Sequence, residues 1–323
     1  MSTLVDIFSG FLGAGKTTLI KKLIDENFIK EKVAIIENEF GEVGIDGSIL
    51  RKSNMQVKEI NAGCICCTIN QDFKEAVGEV IDKFNPSRII IEPSGVGKLS
   101  EILKSLNSAD LKSKIKLNMI IAVVDALKYK IYISNFDEFY KNQIVNSNTI
   151  ILSRTQAAKT SQIEEVMRDI TKINSKAAII TTPWDKISSS KIVEVSQMNR
   201  KIPVEEQVNL IKMPEKMTFL REKKDNHHDH HADEIFSTWG IETAKVFNKK
   251  NLIENLHHIN KNKNYGIVLR AKGIVQVDKN QWIQFDYVPD EFKVVTTTPD
   301  YTGRLCIIGS NLNKKDIKEL FLR

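Results

Sequence analysis

The sequence predicts an α/β fold, a mainly parallel sheet flanked by helices, followed by a smaller α+β unit. Three observations lead there. Residues 10–18 (GFLGAGKTT) fit the pattern GxxxxGK[ST], with an apolar run before them and a helical repeat after them. Apolar runs then alternate with amphipathic stretches to about residue 198, the order that gives a parallel sheet with helices on both faces. The pattern breaks from about 198 to 233, and short β-type runs dominate beyond it. The chain is accordingly divided into residues 1–198, a connector at 199–234 and residues 235–323.

Residues 4–8 (LVDIF) read as a buried strand, and Leu19, Leu23 and Ile24 recur at helical spacing behind the loop. Residues 33–36 (VAII) form a second strand that ends in the acidic run 37–42 (ENEFGE). Gly41, Gly44 and Gly47 make the next segment a loop, and a short strand is expected at 57–60. Residues 72–84 set Phe73, Val77, Val80, Ile81 and Phe84 on one helical face, and Asn85-Pro86 stops that helix. Further strands are expected at 88–91, 119–124, 149–152 and 177–181, with helices at 100–106, 136–145, 161–173 and 188–195. Within the connector, 208–211 is a candidate strand. The last unit reads as a strand at 235–245, a helix at 249–259, strands at 265–277, 282–287 and 304–309, and a helix at 313–322. Its sheet is expected to be mostly antiparallel.

The pattern at 10–18 is that of a phosphate loop, so the first unit is expected to be a P-loop nucleoside triphosphatase domain. Backbone N–H groups of such a loop wrap phosphate oxygens, and the helix behind it points its positive end at them. Gly13, Ala14, Gly15, Lys16, Thr17 and Thr18 are the expected phosphate contacts. Lys16 would reach the β- and γ-phosphates, and Thr17 would ligate Mg²⁺. Glu92 ends an apolar strand, where an acid holds Mg²⁺ directly or through water. Asp125 ends another and is balanced between that role and capping a helix. Gly95 would let a backbone N–H approach the γ-phosphate.

Ligands of parallel sheets sit at the carboxyl ends of the strands. After the strand at 149–152, where a guanine reader of the form Asn-Lys-x-Asp is common, the sequence runs Ser153-Arg154-Thr155-Gln156. The Arg154 stem can cover the face of a base. Gln156 offers one carbonyl acceptor and an NH₂ donor, so it does not copy a carboxylate's paired acceptance. Ser153, Arg154 and Gln156 are the expected base-side contacts, and ATP stays open beside GTP.

Three of the four cysteines, Cys64, Cys66 and Cys67, fall within four residues. Such clustering suits a metal better than a disulfide framework. Thiolates favour Zn²⁺, with Co²⁺ and Ni²⁺ as alternatives. A fourth ligand would come from a carboxylate of the acidic run such as Glu42, from water or from a partner. His227, His228, His230 and His231, with Asp229 among them, would collect metal loosely or form a solvated tract. His257 and His258 are expected on a helix surface, Cys306 in the core, and Trp239 and Trp282 in packing.

With 47 Lys and Arg against 41 Asp and Glu, the net charge of +6 is scattered, which gives no footprint for nucleic acid. No apolar run is long enough for a membrane span. The first strand begins almost at the N-terminus, leaving no room for a signal peptide, so a cytoplasmic location is expected.

These stretches resemble the CobW-type family of P-loop GTPases, metallochaperones related to the GTPases that load nickel enzymes. The resemblance rests on residues 10–18 (GFLGAGKTT), 37–46 (ENEFGEVGID), 61–67 (NAGCICC), 89–95 (IIIEPSG) and 270–274 (RAKGI), and covers nearly the whole chain. It implies a GTP-hydrolysing domain, a smaller C-terminal domain, a client metalloprotein, and communication between metal at the cysteines and the nucleotide. Zinc comes first, a cobalt or corrinoid role next. Pro93 stands where the family often has a small polar residue, which stiffens the loop beside Glu92. On this reading the loops at 37–46 and after Glu92 close on the γ-phosphate and move Cys64, Cys66 and Cys67. Glu37 or Glu39 organises the attacking water while Lys16 stabilises developing charge. Two other readings stay open: an ATP- or GTP-dependent assembly factor for a cobalt, corrinoid or other metalloenzyme, and a non-enzymatic metal buffer. The oligomeric state stays open too, a homo-oligomer included.

Overall fold

Seven strands, all parallel, make the first sheet: β1 (Thr3–Gly10), β2 (Val33–Phe40), β3 (Gln56–Ala62), β4 (Arg88–Glu92), β5 (Ile115–Asp125), β6 (Thr149–Ser153) and β7 (Ala178–Ile180). Their spatial order is β3-β2-β4-β1-β5-β6-β7. The computed structural model describes residues 2–26, 33–40, 56–62, 69–198, 235–278, 281–300 and 302–322. The connector, the candidate strand at 208–211 and the histidine tract lie outside those residues.

Each central strand is apolar on both sides because both faces are covered. One face, with Phe8, Val33, Ile35, Ile90, Ile121 and Ile151, packs on helices α1 (Lys16–Asp25) and α8 (Ser189–Met198). The other face, with Val5, Ile7, Ile36, Ile89 and Ile91, packs on α2 (Ile69–Phe84) and α3 (Leu99–Leu106). Toward the β6 side the same layer continues as α5 (Tyr129–Asn135), α6 (Asp137–Val145) and α7 (Thr160–Ile173). A one-turn helix, α4 (Ala109–Lys112), leads into β5. Side chains such as Ile7, Phe8 and Ile90 are wholly enclosed, and each contributes about 1.5–3 kcal/mol.

One polar cluster is built into this apolar sheet. The β1–β5 register slips between Val5 and Asp6, so Asn118 is the extra residue of a bulge. Asp6 accepts from the Asn118 amide at 2.5 Å and the Met119 N–H at 3.1 Å, and pairs with Arg88 of β4. Burial pushes the Asp6 carboxyl up, and Arg88 opposes that shift. The cluster ties β4, β1 and β5 together near their amino ends, away from the loop at Gly10.

The second sheet is antiparallel, with β8 (Phe236–Thr243), β9 (Ile267–Val277), β10 (Gln281–Val288), β11 (Glu291–Thr297) and β12 (Gly303–Ser310) in the order β11-β10-β9-β12-β8. One face packs on α9 (Lys249–Lys261) and α10 (Lys314–Leu322) through Leu252, Leu256, Ile317 and Phe321. The Asn248 side chain caps α9 by accepting the Asn251 N–H at 3.0 Å. The other face lies on the first unit: Phe236, Ile274, Cys306 and Ile308 share a core with Phe11, Leu12, Phe136 and Tyr140.

Several elements depart from the sequence reading. Strand β2 runs on through Glu37 to Phe40, because its neighbours β3 and β4 pair with that stretch. Helices α4 and α5 and strand β11 have no counterpart in the sequence pattern. Residues 129–135 (YKIYISN) alternate like a strand, yet Tyr129 and Tyr132, one helical turn apart, are both buried. Cys306, Trp239 and Trp282 pack in the core, and His257 and His258 are on the exposed side of α9. Among the described residues no helix is long and apolar enough to cross a membrane.

Candidate functional site

The carboxyl ends of β1, β4 and β2 meet beside the amino end of α1. Between β1 and α1 the backbone turns through Gly10, Gly13 and Gly15, all at positive φ. The loop therefore presents its N–H groups at the start of α1, where the helix dipole favours an anion. Lys16 is 5% exposed, and its ammonium donates to the Gly10 carbonyl at 2.9 Å. It stands 4.0 Å from Glu92. The Thr17 hydroxyl lies 3.0 Å from each carboxylate oxygen of Glu92. Threonine and glutamate thus meet as a pair of hard oxygen donors, the set Mg²⁺ prefers when phosphate and water complete its shell.

Glu37 of β2 is buried and stands in register with Glu92 on the adjacent strand. Glu39 lies two residues further along β2; its side chain is outside the described part. Gly95 sits against the loop: a Cβ there would come within 2.7 Å of the Leu12 nitrogen, so any side chain would push the two segments apart. Ala14 is buried, and Thr18 lies in the first turn of α1 behind the phosphate loop. The CxCC cysteines Cys64, Cys66 and Cys67, and Glu42, lie outside the described residues. The cysteines fall between the end of β3 and the start of α2, and Ala62, which ends β3, pairs with Phe40 of β2.

The base-side residues separate. Arg154, at φ +57°, turns its guanidinium to the Gly13 carbonyl and the Asp125 carboxylate, each at 3.0 Å, and to Glu291 of β11. Ser153 is buried, and Gln156 is exposed. Asp125 does not cap a helix, one of the two roles expected of it: α5 starts after Lys128, which has no side-chain cap. Asp125 Oδ1 instead closes the turn before the helix, accepting the N–H groups of Leu127 and Lys128 at 2.9 and 3.3 Å. Burial pushes its carboxyl up, and Arg154 opposes this.

Three side chains at the site were not read from the sequence. Gln143 of α6, 1% exposed, donates from one amide to the carbonyls of Gly95 and Gly97, each at 3.1 Å. Phe11, inside the loop, is fully buried among Tyr132, Phe136, Tyr140 and Phe236. Trp184 lies beside Gly15 and donates its indole N–H to the Leu152 carbonyl at 3.0 Å. Only the apolar character of Phe11 carried a sequence signal; the other two act through tertiary contacts.

A glycine-rich loop joining the first strand of a parallel sheet to a helix, with Lys16, Thr17 and a strand-end acid, defines a P-loop nucleotide-binding domain. The model described as CobW/HypB/UreG, nucleotide-binding domain, matches residues 4–181, and the cobalamin synthesis protein cobW C-terminal domain matches 236–323. The chain belongs to the CobW/HypB/UreG family. It is similar to the zinc chaperone YjiA of Escherichia coli, 31% identical over 183 residues, 55% of this chain and 56% of that protein. It is also similar to zinc-regulated GTPase metalloprotein activator 1 of Schizosaccharomyces pombe, 28% identical over 200 residues, 59% of this chain and 48% of that protein. Among solved structures, Zn(II)-bound YjiA GTPase from E. coli aligns at a TM-score of 0.44 and 20% identity, over 100% of this chain and 98% of that one. The chain spans about half the length of the first curated relatives it matches.

Proposed function

We propose that the chain is a GTP-hydrolysing metallochaperone that binds a divalent metal, zinc first, at Cys64, Cys66 and Cys67 and hands it to a client metalloprotein. The observation that carries the nucleotide half is the convergence of Lys16 and Thr17 on Glu92 at one end of the sheet, each within 4.0 Å of its carboxylate. Relatives named zinc chaperones support the metal half.

The chain's own residues have distinct parts in hydrolysis, in which water adds to the γ-phosphorus and the bond to the β–γ bridging oxygen breaks. Lys16 offsets charge on the β- and γ-phosphates. Thr17 and Glu92 would hold Mg²⁺, which draws charge from the same oxygens when bound. Glu37 or Glu39 orients the water, and the Gly95 N–H approaches the γ-phosphate. Of the base-side candidates, Arg154 lines the cavity beside the loop and flanks the base, with Ser153 and Gln156 as its neighbours in the chain. Gln156 lacks a carboxylate, and this keeps ATP as the second nucleotide to test. The cysteine segment follows β3 in sequence, and β3 neighbours β2, which carries Glu37; that order supports a link between the phosphate end and the metal. The cytoplasm, the domain limits at 198 and 235, and a fourth ligand from Glu42 belong to the same reading.

The test is a Zn²⁺ titration with and without a GTP analogue that resists hydrolysis. Linkage requires that a nucleotide which changes metal affinity be changed by metal in the same ratio. We expect a shift of roughly fivefold or more, as coupling of 1–3 kcal/mol gives. A triple serine variant at the three cysteines should retain nucleotide and lose zinc. Equal zinc affinities with and without the analogue would refute the coupling.

A further inference from the structure

The second sheet does more than lie against the first unit; it roofs the phosphate loop. A cavity of about 490 Å³ is walled on one side by Gly13, Lys16, Thr17 and Glu92, and on the other by β9, β10 and β11. The approach is close. A Cβ at Gly13 would stand 2.5 Å from Val288 of β10, and Lys128 reaches across to donate to the Pro289 carbonyl at 2.6 Å.

The roof is cationic. Along one rung of the antiparallel sheet, Cys306, Lys272, Asp286 and Lys293 stand in register on neighbouring strands, so their side chains share a face. Arg270, two residues before Lys272, grips Asp286 with two hydrogen bonds of 3.0 and 2.7 Å. Lys16, Lys21, Arg154, Arg270, Lys272 and Lys293 all line the cavity, against the carboxylates of Glu92, Asp286 and Glu291. Lys272 is 4% exposed, an uncommon state for a lysine. Six cations thus line the cavity against three carboxylates, whatever pairs they form among themselves. Like charges gathered around one cavity repel, and an anion relieves that repulsion.

The geometry points to the second sheet as part of the nucleotide site: Lys272 and Lys293, with Arg270 beside them, contact the terminal phosphate of a nucleoside triphosphate held on the loop. This rests on the nucleotide reading given above. The terminal group is singled out because Lys16, Thr17 and Glu92, which flank the β–γ end, line the same cavity as the rung. A diphosphate would leave the rung without its ligand, so the two units are bridged in the triphosphate state and less so after hydrolysis.

The test uses the full chain with Mg²⁺, a fluorescent GTP analogue that resists hydrolysis, and fluorescent GDP. Lys272→Met and Lys293→Gln should each weaken the triphosphate by about tenfold, the size of one lost charge-assisted hydrogen bond. GDP affinity should stay within about twofold, and Lys272→Arg should recover most of the loss. Lys293 is exposed, so if Lys272→Met fails to fold, Lys293→Gln decides alone. Equal weakening of both nucleotides, or of neither, while Lys16→Ala still abolishes binding, overturns this assignment and leaves the nucleotide reading intact. A wild-type chain that takes up neither nucleotide removes both.

Discussion

At Gln143 one amide holds two carbonyls of the segment that follows Glu92. Replacing it with leucine keeps the volume and strands both acceptors, at a cost of about 1–3 kcal/mol. We expect Gln143→Leu to lower kcat for hydrolysis severalfold while KM moves less, since the side chain positions Gly95 and does not face the nucleotide directly. Steady-state kinetics read that split, and a change in KM alone would count against it. The phosphate loop, Glu92 and Gly95 were legible in the sequence because their spacing along the chain is itself the signal. Gln143 was not legible, since its partners are 46 and 48 residues away. Arg154 was found as a base-side candidate by its place after β6. That its guanidinium turns to Gly13, Asp125 and Glu291 depends on a positive φ and a second sheet that no local pattern announces.

Helix α1 is tied to α8 by its last turn. Glu26 accepts the Ser189 N–H at 2.8 Å, at the first residue of α8, and also pairs with Lys22. The Lys22 hydrogen bond, with further help from the Ser189 N–H and hydroxyl, holds the Glu26 carboxyl at about 2 against an ordinary 4.5. A depressed carboxyl contributes stability above its unfolded value and loses it as the pH falls toward its folded one. Glu26→Gln should therefore unfold at lower urea than wild type at pH 7, with the gap closing between about pH 4.5 and 2. A gap that widens over this window would contradict the assignment. Most elements were readable because buried parallel strands are continuous apolar runs and their helices carry one apolar face. Besides the one-turn α4, two were obscured for opposite reasons. In β11, at the sheet edge, alternate residues are exposed and a Thr run blurs its end, whereas α5 has a strand-like sequence that aromatic packing folds into a helix.

Across the whole molecule the two sheets meet through an aromatic cluster. Phe236 of β8 lies 5.2–6.1 Å from the rings of Phe11, Phe136 and Phe139. Such pairs contribute about 0.5–1.5 kcal/mol beyond their buried area. Truncation of a buried phenylalanine costs about 3–5 kcal/mol. The full chain should unfold in one transition, and Phe236→Ala should divide it into two, followed by tryptophan fluorescence and circular dichroism in urea. A single unshifted transition in the variant would show that the units are not coupled there. The presence of two units was legible from the change of pattern near residue 198; their mutual seating was not, because it joins Phe11 to a residue 225 positions later. That seating bears on any attempt to work with the nucleotide half in isolation. A polypeptide stopped at residue 198 would bare a greasy facet at the mouth of its own ligand pocket, and such fragments clump in solution.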